Sequence, residues 1–279
     1  MCLLQRFKTQ FVRSRILCCL FAVIQLAKGY SQQQPVYSGL LKDTSITVSE
    51  TGQSTSIRVY LPAGYASARK SYPVIYVPGM RNFDKDGAWL IIQCLDSLAR
   101  QRPAEMIVVG FDLLQTGSPN EKAAAYLTAG WENQQQLLLA KTLKPFIDAH
   151  YRTQPGPASS LLAGADSGAL IAYHLLLKQP ELFGKGAVFS PPFLLLPESE
   201  GDAAPGHNGK FFFYWATQDL PDEMSNLHYI DQHLGNAPAT MIFVAEDETG
   251  DNTPSSWSRW LPDAINWLLA DGFNYVMGK

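Results

Sequence analysis

The chain has 279 residues, of which 46% are hydrophobic, 11% aromatic and 17% charged. This length and hydrophobic content can bury a large core, so intrinsic disorder is excluded. Five of the 22 basic residues and none of the 25 acidic residues lie in the first 29 positions, so the remaining chain holds 17 basic and 25 acidic residues and a net charge of −8. An acidic body without a run of lysine or arginine argues against nucleic acid as a partner, because binding a phosphate backbone needs a basic face.

The N-terminus has the pattern of a secretory signal peptide. Basic residues up to Arg15 precede an apolar run over 16–27, which is too short for a comfortable membrane span. Small residues allow cleavage after Gly29 or after Ser31. An uncleaved N-terminal anchor is the alternative interpretation. We therefore expect a signal peptide over 1–29, a secreted or periplasmic protein, and no stable membrane span after cleavage.

The cysteines indicate that the core, and not disulfides, stabilises the mature chain. Cys2, Cys18 and Cys19 would leave with the signal peptide, and only Cys94 would remain. Cys94 lies in an apolar helical pattern without a neighbour that would lower its pKa, which favours a core residue over a nucleophile. Residues 30–279 are long enough to fold as a single large α/β domain.

The predicted elements alternate along the chain. The stretches 45–49 and 56–61 alternate in polarity around Gly52 and predict a hairpin. Six later apolar runs predict buried strands at 73–77, 106–110, 160–164, 186–190, 210–215 and 240–244. Helical patterns lie at 88–101, 133–150, 168–178, 222–234 and 255–270. This order predicts a mostly parallel sheet covered by helices on both faces, with a ligand crevice beyond the carboxyl ends of the strands.

One strand-to-helix turn has the form of a nucleophile elbow. Gly164 and Gly168 flank Asp166 where an apolar strand runs directly into an apolar helix. In the G-x-S-x-G form of this turn, the glycines permit a tight, strained geometry that lifts the middle side chain to the top of the sheet. Here the middle residue is an aspartate.

With this turn, several segments resemble the esterase family of α/β-hydrolases, which includes enterochelin-esterase-like, feruloyl-esterase-like and S-formylglutathione-hydrolase-like enzymes. The segments that carry the likeness are 72–84, 107–112, 143–157, 161–170 and 180–191. The resemblance covers nearly the whole mature chain and implies an α/β-hydrolase fold. It also implies a serine, a histidine and an acid as the catalytic triad.

The resemblance assigns two of these catalytic positions to aspartates. The family's nucleophilic serine falls on Asp166, and its catalytic histidine falls on Asp251, in the turn that precedes Trp257. The acid follows the strand 211–215 and would be Asp219. Two further acidic residues lie close to it, Asp222 and Glu223.

The oxyanion hole is the part of the resemblance that depends least on side chains. The resemblance assigns its donors to the backbone N–H groups of Met80 and Ser167. The Ser167 side chain could be considered as a displaced nucleophile. It lies one position into the helix, however, where its side chain points away from that of the elbow residue, so we favour Asp166.

The two substitutions leave several chemical interpretations open. A serine triad needs a hydroxyl and an imidazole that takes and returns its proton, and both are absent from their places. The simplest interpretation is a degenerate site in a turn that still folds. Asp166 could instead act as a nucleophile, as in Asp-dependent haloalkane and epoxide hydrolases, with Asp251 a weak substitute base. A cluster of Asp166, Asp251 and Asp219 could also hold a divalent cation.

None of the five histidines has the catalytic context of the family. His207, in the loop 197–209, is the one that could reach the site as a replacement base. His174 is expected to pack on the helix after the elbow. His228 and His233 are five residues apart and do not form a helical metal pair. His150 has no assigned role, and the sequence indicates neither a zinc motif nor a cofactor.

The remaining aromatic and apolar residues divide between the core and the site. Trp257, Leu261, Ile265 and Leu268 follow one helical face and are predicted core residues. Pro262 indicates a helix start or a kink. Trp89 and Phe193 could line a pocket for an acyl or aryl group.

The sequence thus predicts an exported esterase-like protein of the α/β-hydrolase fold. The favoured interpretation is an impaired or non-catalytic protein that binds a small ester, acyl or sugar ligand. The alternative is an active ester hydrolase that uses Asp166 with a rebuilt base or a divalent cation.

Overall fold

The computed structural model describes residues 38–78, 105–114, 131–193, 209–216 and 240–270, with residues 92, 94, 95, 98, 230 and 234. Its strands are β1 (Leu40–Thr47), β2 (Ser54–Leu61), β3 (Val74–Pro78), β4 (Ile107–Phe111), β5 (Ser160–Ala165), β6 (Lys185–Phe189), β7 (Lys210–Ala216) and β8 (Met241–Asp247). The helices are α1 (Trp131–Leu137), α2 (Lys144–His150), α3 (Ser167–Lys178) and α4 (Pro254–Leu269). A π-helical segment (Leu138–Leu143) joins α1 to α2, and a 3₁₀ turn (Pro157–Ser159) precedes β5.

The described strands form one eight-stranded sheet in the order β1-β2-β4-β3-β5-β6-β7-β8. The hairpin β1–β2 and the pair β2–β4 are antiparallel, and every later pair is parallel. The parallel strands β3, β4 and β7 are buried along their whole length, which explains their near-continuous apolar sequences. This topology confirms the predicted mostly parallel sheet and aligns the carboxyl ends of β5 to β8 along one edge.

Apolar layers cover both faces of the sheet. In β7, alternate residues serve opposite layers, with Phe211 and Phe213 on one side and Phe212 and Tyr214 on the other. The first layer packs against the segment 138–147 and α3, and the second packs against α4 and the helical residues near Leu95. The core therefore fixes α3 and α4, the helices that follow β5 and β8, on opposite faces.

The structure changes several predicted boundaries. β1 begins at Leu40 and not at residue 45, because this edge strand exposes a polar stretch that has no alternating apolar signal. The predicted helix 133–150 contains the π-helical segment. Pro262 does not start a helix, because α4 begins at Pro254 and Pro262 lies inside it. None of the helices among the described residues has the length and apolar character that a bilayer span requires.

Several predictions fall outside the described residues. Only residues 92, 94, 95 and 98 of the predicted helix 88–101 are described, and only Ile230 and Leu234 of the helix 222–234; all of these are helical. Residues 1–29 are not described, so the signal peptide and the single domain over 30–279 stay predictions.

Candidate active site

The turn between β5 and α3 consists of one residue, Asp166. Its backbone has φ 51° and ψ −127°, a conformation that L-residues rarely adopt. Three backbone hydrogen bonds hold it: Asp166 N–H donates to Phe189 O (3.0 Å), and the N–H groups of Ala169 (2.9 Å) and Leu170 (3.4 Å) donate to Asp166 O. The strand–turn–helix geometry is that of the predicted elbow.

The two elbow glycines have different structural roles. A Cβ built on Gly164 would overlap the Gly168 carbonyl and lie 2.8 Å from Ala169 N, so β5 and α3 meet too closely for any side chain at position 164. A Cβ on Gly168 would have ordinary contact, 3.6 Å from Pro78 O. Gly164 is therefore required for the turn, whereas Gly168 tolerates a methyl group.

The Asp166 side chain is exposed and makes no capping hydrogen bond to α3. Ser167, the first residue of α3, has a backbone N–H that cannot have an intrahelical partner. Pro78, near Gly168, ends β3 two residues before Met80, which itself lies outside the described residues. The described half of the predicted oxyanion hole is thus a helix N-terminus directly after the elbow.

Asp251, in the loop between β8 and α4, is exposed but its carboxylate is engaged by hydroxyl groups. Thr253 Oγ1 and Ser256 Oγ both donate to Asp251 Oδ1, at 2.5 and 2.6 Å, and Asp251 N–H donates to Ser256 Oγ at 3.1 Å. The hydrogen bonds from Ser256 and Thr253 lower the pKa of the Asp251 carboxyl. A carboxylate with a lowered pKa is a weak proton acceptor, so Asp251 is poorly suited to be a general base.

Asp247, the last residue of β8, was not among the sequence candidates. Its buried carboxylate accepts hydrogen bonds from Arg259 (2.9 Å), Trp260 Nε1 (3.0 Å), and the N–H and hydroxyl of Thr249 (both 3.1 Å). Burial opposes the charge, but these hydrogen bonds and Arg259 outweigh it and lower the pKa of Asp247. Asp247 therefore fixes α4 and the start of the loop that carries Asp251.

Tyr214 and Gly250 complete the surroundings of Asp247. Tyr214 Oη lies 3.4 Å from Asp247 Oδ2, and burial together with this carboxylate raises the pKa of Tyr214 to about 12. A Cβ on Gly250 would lie 2.5 Å from both oxygens, so only glycine fits there. The signal that could have identified Asp247 is its place at the carboxyl end of a strand.

Ser190 is a second residue that sequence reasoning missed. It follows β6, is 5% exposed and has φ 48°. Its N–H donates to Tyr214 O (2.6 Å), and its Oγ accepts a hydrogen bond from Trp257 Nε1 (3.1 Å). Trp257 packs partly buried against the core as predicted, and its indole N–H also ties α4 to the end of β6.

The structure corrects or leaves open the other candidates. Phe193 is 4% exposed and packs edge-on against Tyr173, so its described contacts are those of a core residue. Burial raises the pKa of the Cys94 thiol to about 12, which agrees with a packing role. His150 lies in α2 and its Nδ1 is 2.8 Å from Phe146 O; His174 lies half-buried in α3. The candidates outside the described residues are Trp89, His207, Asp219, Asp222, Glu223, His228 and His233.

No group of three or more His, Cys, Asp or Glu residues within the described ranges could hold a metal ion. Asp166 and Asp251, which the family resemblance assigns to triad positions, follow β5 and β8 at the same edge of the sheet. This edge offers an exposed carboxylate at the elbow, a helix N-terminus beside it and a second, hydroxyl-bound carboxylate.

Comparison with known proteins agrees with this architecture. The sequence matches the model of the family described as "Putative esterase" over residues 48–255. A search of curated proteins finds no match.

Several solved structures are similar to this chain in fold, at low sequence identity. S-formylglutathione hydrolase from Agrobacterium tumefaciens is 16% identical, with a TM-score of 0.62 over 86% of this chain and 98% of that chain. A mutant of the feruloyl esterase module from Clostridium thermocellum, complexed with sinapinate, is 13% identical, with a TM-score of 0.62 over 88% of this chain and 93% of that one. Ferric enterobactin esterase from Salmonella typhimurium is 14% identical, with a TM-score of 0.66 over 85% of this chain and 60% of that one.

At these identities the similar structures show the fold, which is the α/β-hydrolase fold expected from the sequence. The family model matches more than half of the chain. The chain therefore belongs to the "Putative esterase" family and is an esterase-like protein.

Proposed function

We propose that this protein binds a small ester, acyl or sugar ligand at the edge that carries Asp166 and does not hydrolyse it by a serine triad. The observation that carries the proposal is the state of the two carboxylates. Asp166 occupies the elbow with an exposed side chain. The Asp251 carboxylate accepts hydrogen bonds from two hydroxyl groups, and these bonds lower its pKa.

The chemistry of ester cleavage supports this proposal. Cleavage by a serine triad starts when a base removes the hydroxyl proton of the nucleophile, and Asp166 has no hydroxyl. An Asp166 carboxylate next to the N–H of Ser167 also opposes the negative charge that an oxyanion hole stabilises. A site with these residues retains an edge for binding but loses the steps of acyl transfer.

The family and the similar structures support the proposed class of ligand. One of these is complexed with sinapinate, an aromatic acid, and another is named for ferric enterobactin. These names concern those proteins, and we extend only their shared chemistry, an acyl or aryl ester group, to this chain.

The test combines hydrolysis and binding on the same protein. Purified protein is assayed on short and aryl esters with and without EDTA, and its binding to methyl sinapinate and acylated sugars is measured by calorimetry. We expect no hydrolysis above that of Asp166→Ala, and binding that Asp166→Ala alters but Glu50→Ala, an exposed carboxylate in the β1–β2 turn, does not. Hydrolysis that Asp166→Ala abolishes contradicts the proposal.

A second candidate is an active hydrolase with Asp166 as its nucleophile, and the retained backbone strain at Asp166 favours it. The carboxylate would attack the alkyl carbon of the substrate ester, break its C–O bond and expel the substrate's acid as a carboxylate, leaving an alkyl ester of Asp166. Water would then attack the carbonyl carbon of this ester and release the alcohol. A single turnover in heavy-oxygen water would place the label in the peptide of Asp166. An unlabelled peptide after turnover excludes this route, and loss of turnover in EDTA would assign a cation to it.

Export belongs to the same proposal. The sequence pattern supports a signal peptide over 1–29, with cleavage after Gly29 or Ser31. The intact mass of protein isolated from the periplasm or medium tests it. A mass that still includes residues 1–29 would favour the uncleaved anchor.

A further inference from the structure

Two non-glycine residues of the described chain have a positive φ, and they lie beside each other at the carboxyl edge. They are Asp166, after β5, and Ser190, after β6. The neighbouring strands are in register at Ala165 and Phe189, and Phe189 O accepts the N–H of Asp166. Such backbone conformations persist where the surrounding structure fixes them, and they concentrate at functional sites.

The contacts of Ser190 reach across the sheet. Its N–H donates to Tyr214 O of β7, and its buried Oγ accepts the hydrogen bond from Trp257 Nε1 of α4 at 3.1 Å. Trp257 lies in the first turn of α4, where its N–H donates to Thr253 O at 3.1 Å. A single side-chain hydrogen bond thus connects the residue beside the elbow to the helix that directly follows the Asp251 loop.

The distance across the sheet between Asp166 and the Asp251 loop indicates a role for this hydrogen bond. Asp166 follows β5 and Asp251 follows β8, three strand spacings or about 14 Å away at the ordinary distance between strands. The loop after β8 can approach the elbow only if its chain runs across the carboxyl ends of β7 and β6. The Trp257 indole meets Ser190 at the end of β6, one strand spacing from β5.

We propose that Ser190 and Trp257 are positioning residues whose hydrogen bond holds the Asp251 loop over the sheet towards Asp166. The bond then sets the width of the gap in which a ligand lies, and this last step rests on the proposed function. If the hydrogen bond served only the stability of the fold, a variant that lacks it but keeps its overall stability would show unchanged hydrogen exchange in the Asp251 loop.

Two variants separate positioning from stability. Ser190→Gly removes the acceptor hydroxyl and also relieves the positive φ, because glycine adopts this conformation without strain. Trp257→Phe removes the donor and keeps an aromatic ring. Ser258→Ala is the matched control, since its hydroxyl bonds within α4, to Pro254 O at 2.7 Å, and does not reach β6.

The measurement is hydrogen exchange of the loop N–H groups of Thr249 and Asp251, which donate to Asp247 Oδ1 and Ser256 Oγ. We expect Ser190→Gly and Trp257→Phe each to speed this exchange about fivefold, the loss of one ordinary hydrogen bond. The double variant should show no more than either single variant, because both remove the same bond. Ser258→Ala should leave the loop unchanged.

The thermal midpoint completes the test, since Ser190→Gly should keep or raise it while the loop exchanges faster. Unchanged loop exchange, or faster exchange throughout β5 and α3 as well, would overturn the proposal. Methyl sinapinate binding is measured on the same variants. Absence of binding in every protein contradicts the proposed function, whereas the exchange data still decide whether Ser190 and Trp257 position the loop.

Discussion

The turn that carries Asp166 and the loop that carries Asp251 hold their carboxylates in different ways. Backbone hydrogen bonds and the close packing of Gly164 fix Asp166, and its side chain makes no cap to α3. Asp251 is held through its side chain, which accepts hydrogen bonds from the hydroxyl groups of Thr253 and Ser256 at the start of α4. The elbow is thus held by its backbone and not by the Asp166 side chain, whereas the loop is held in part by hydrogen bonds to the Asp251 carboxylate.

This difference means that substitutions in the two regions have unequal consequences. A change at Asp166 alters the chemistry of the site with little effect on the fold. A change at Asp251 alters both, because it also removes hydrogen bonds from Thr253 and Ser256.

The largest expected effect comes from breaking the elbow through its backbone. Gly164→Ala would place a methyl group on the Gly168 carbonyl, so β5 and α3 must separate, and we expect a loss of about 3 kcal/mol in the free energy of unfolding. Urea denaturation measures it. Gly168→Ala is the control, because its methyl group has room and alanine favours a helix. Equal losses in both variants would mean that packing at Gly164 does not define the turn.

The next effect tests whether the family's chemistry can be restored. Asp166→Ser with Asp251→His should hydrolyse aryl esters about 100-fold faster than Asp166→Ser alone, since general acid–base catalysis contributes this order of magnitude. Asp166→Ser with Asp251→Ala is the matched control, because it loses the same hydroxyl bonds without gaining a base. A folded but inactive variant would show that the acid or the oxyanion donors no longer fit a triad.

A third prediction concerns the buried carboxylate below the Asp251 loop. Asp247→Asn turns an NH₂ group towards existing donors, whichever way the amide lies, and we expect a loss of about 2 kcal/mol in unfolding free energy at neutral pH. Asp43→Asn, in an exposed pair with Arg58, should cost under about 0.5 kcal/mol.

The pH dependence of this effect has a defined sign. The folded pKa of Asp247 lies below the ordinary 3.8, so the unfolded chain binds its proton first as the pH falls. The advantage of the wild type over Asp247→Asn should be complete above pH 3.8 and shrink as the pH falls through the folded pKa. A constant difference down to pH 2 would contradict this assignment.

The sequence predicted the features that depend on neighbouring residues. Apolar runs predicted the buried strands, and the spacing of Gly164, Asp166 and Gly168 predicted the elbow turn, because both patterns are local in the sequence. The edge strand β1 was placed too late because the exposed residues 42–45 have no apolar alternation. Local pattern was a sufficient guide to the parallel sheet and to the turn that carries Asp166.

The missed residues depend on contacts between distant parts of the chain. Ser190 and Trp257 are 67 positions apart, and Asp247 is paired with Tyr214, 33 positions away. Only the packing of α4 against β6, β7 and β8 makes these partners neighbours.

The smallest expected effect resolves how Asp251 acts in the loop. Asp251→Ala removes the acceptor for Thr253 and Ser256 and should lower the thermal midpoint by roughly 2 °C. Asp251→Asn should lose less than Asp251→Ala, because both hydroxyls donate to the same oxygen, Oδ1, which the amide retains as a weaker, neutral acceptor. Equal losses in the two variants would instead assign the effect to negative charge near the N-terminus of α4. Hydrogen bonding and charge at this position are thereby separated by a pair of substitutions that differ in one functional group.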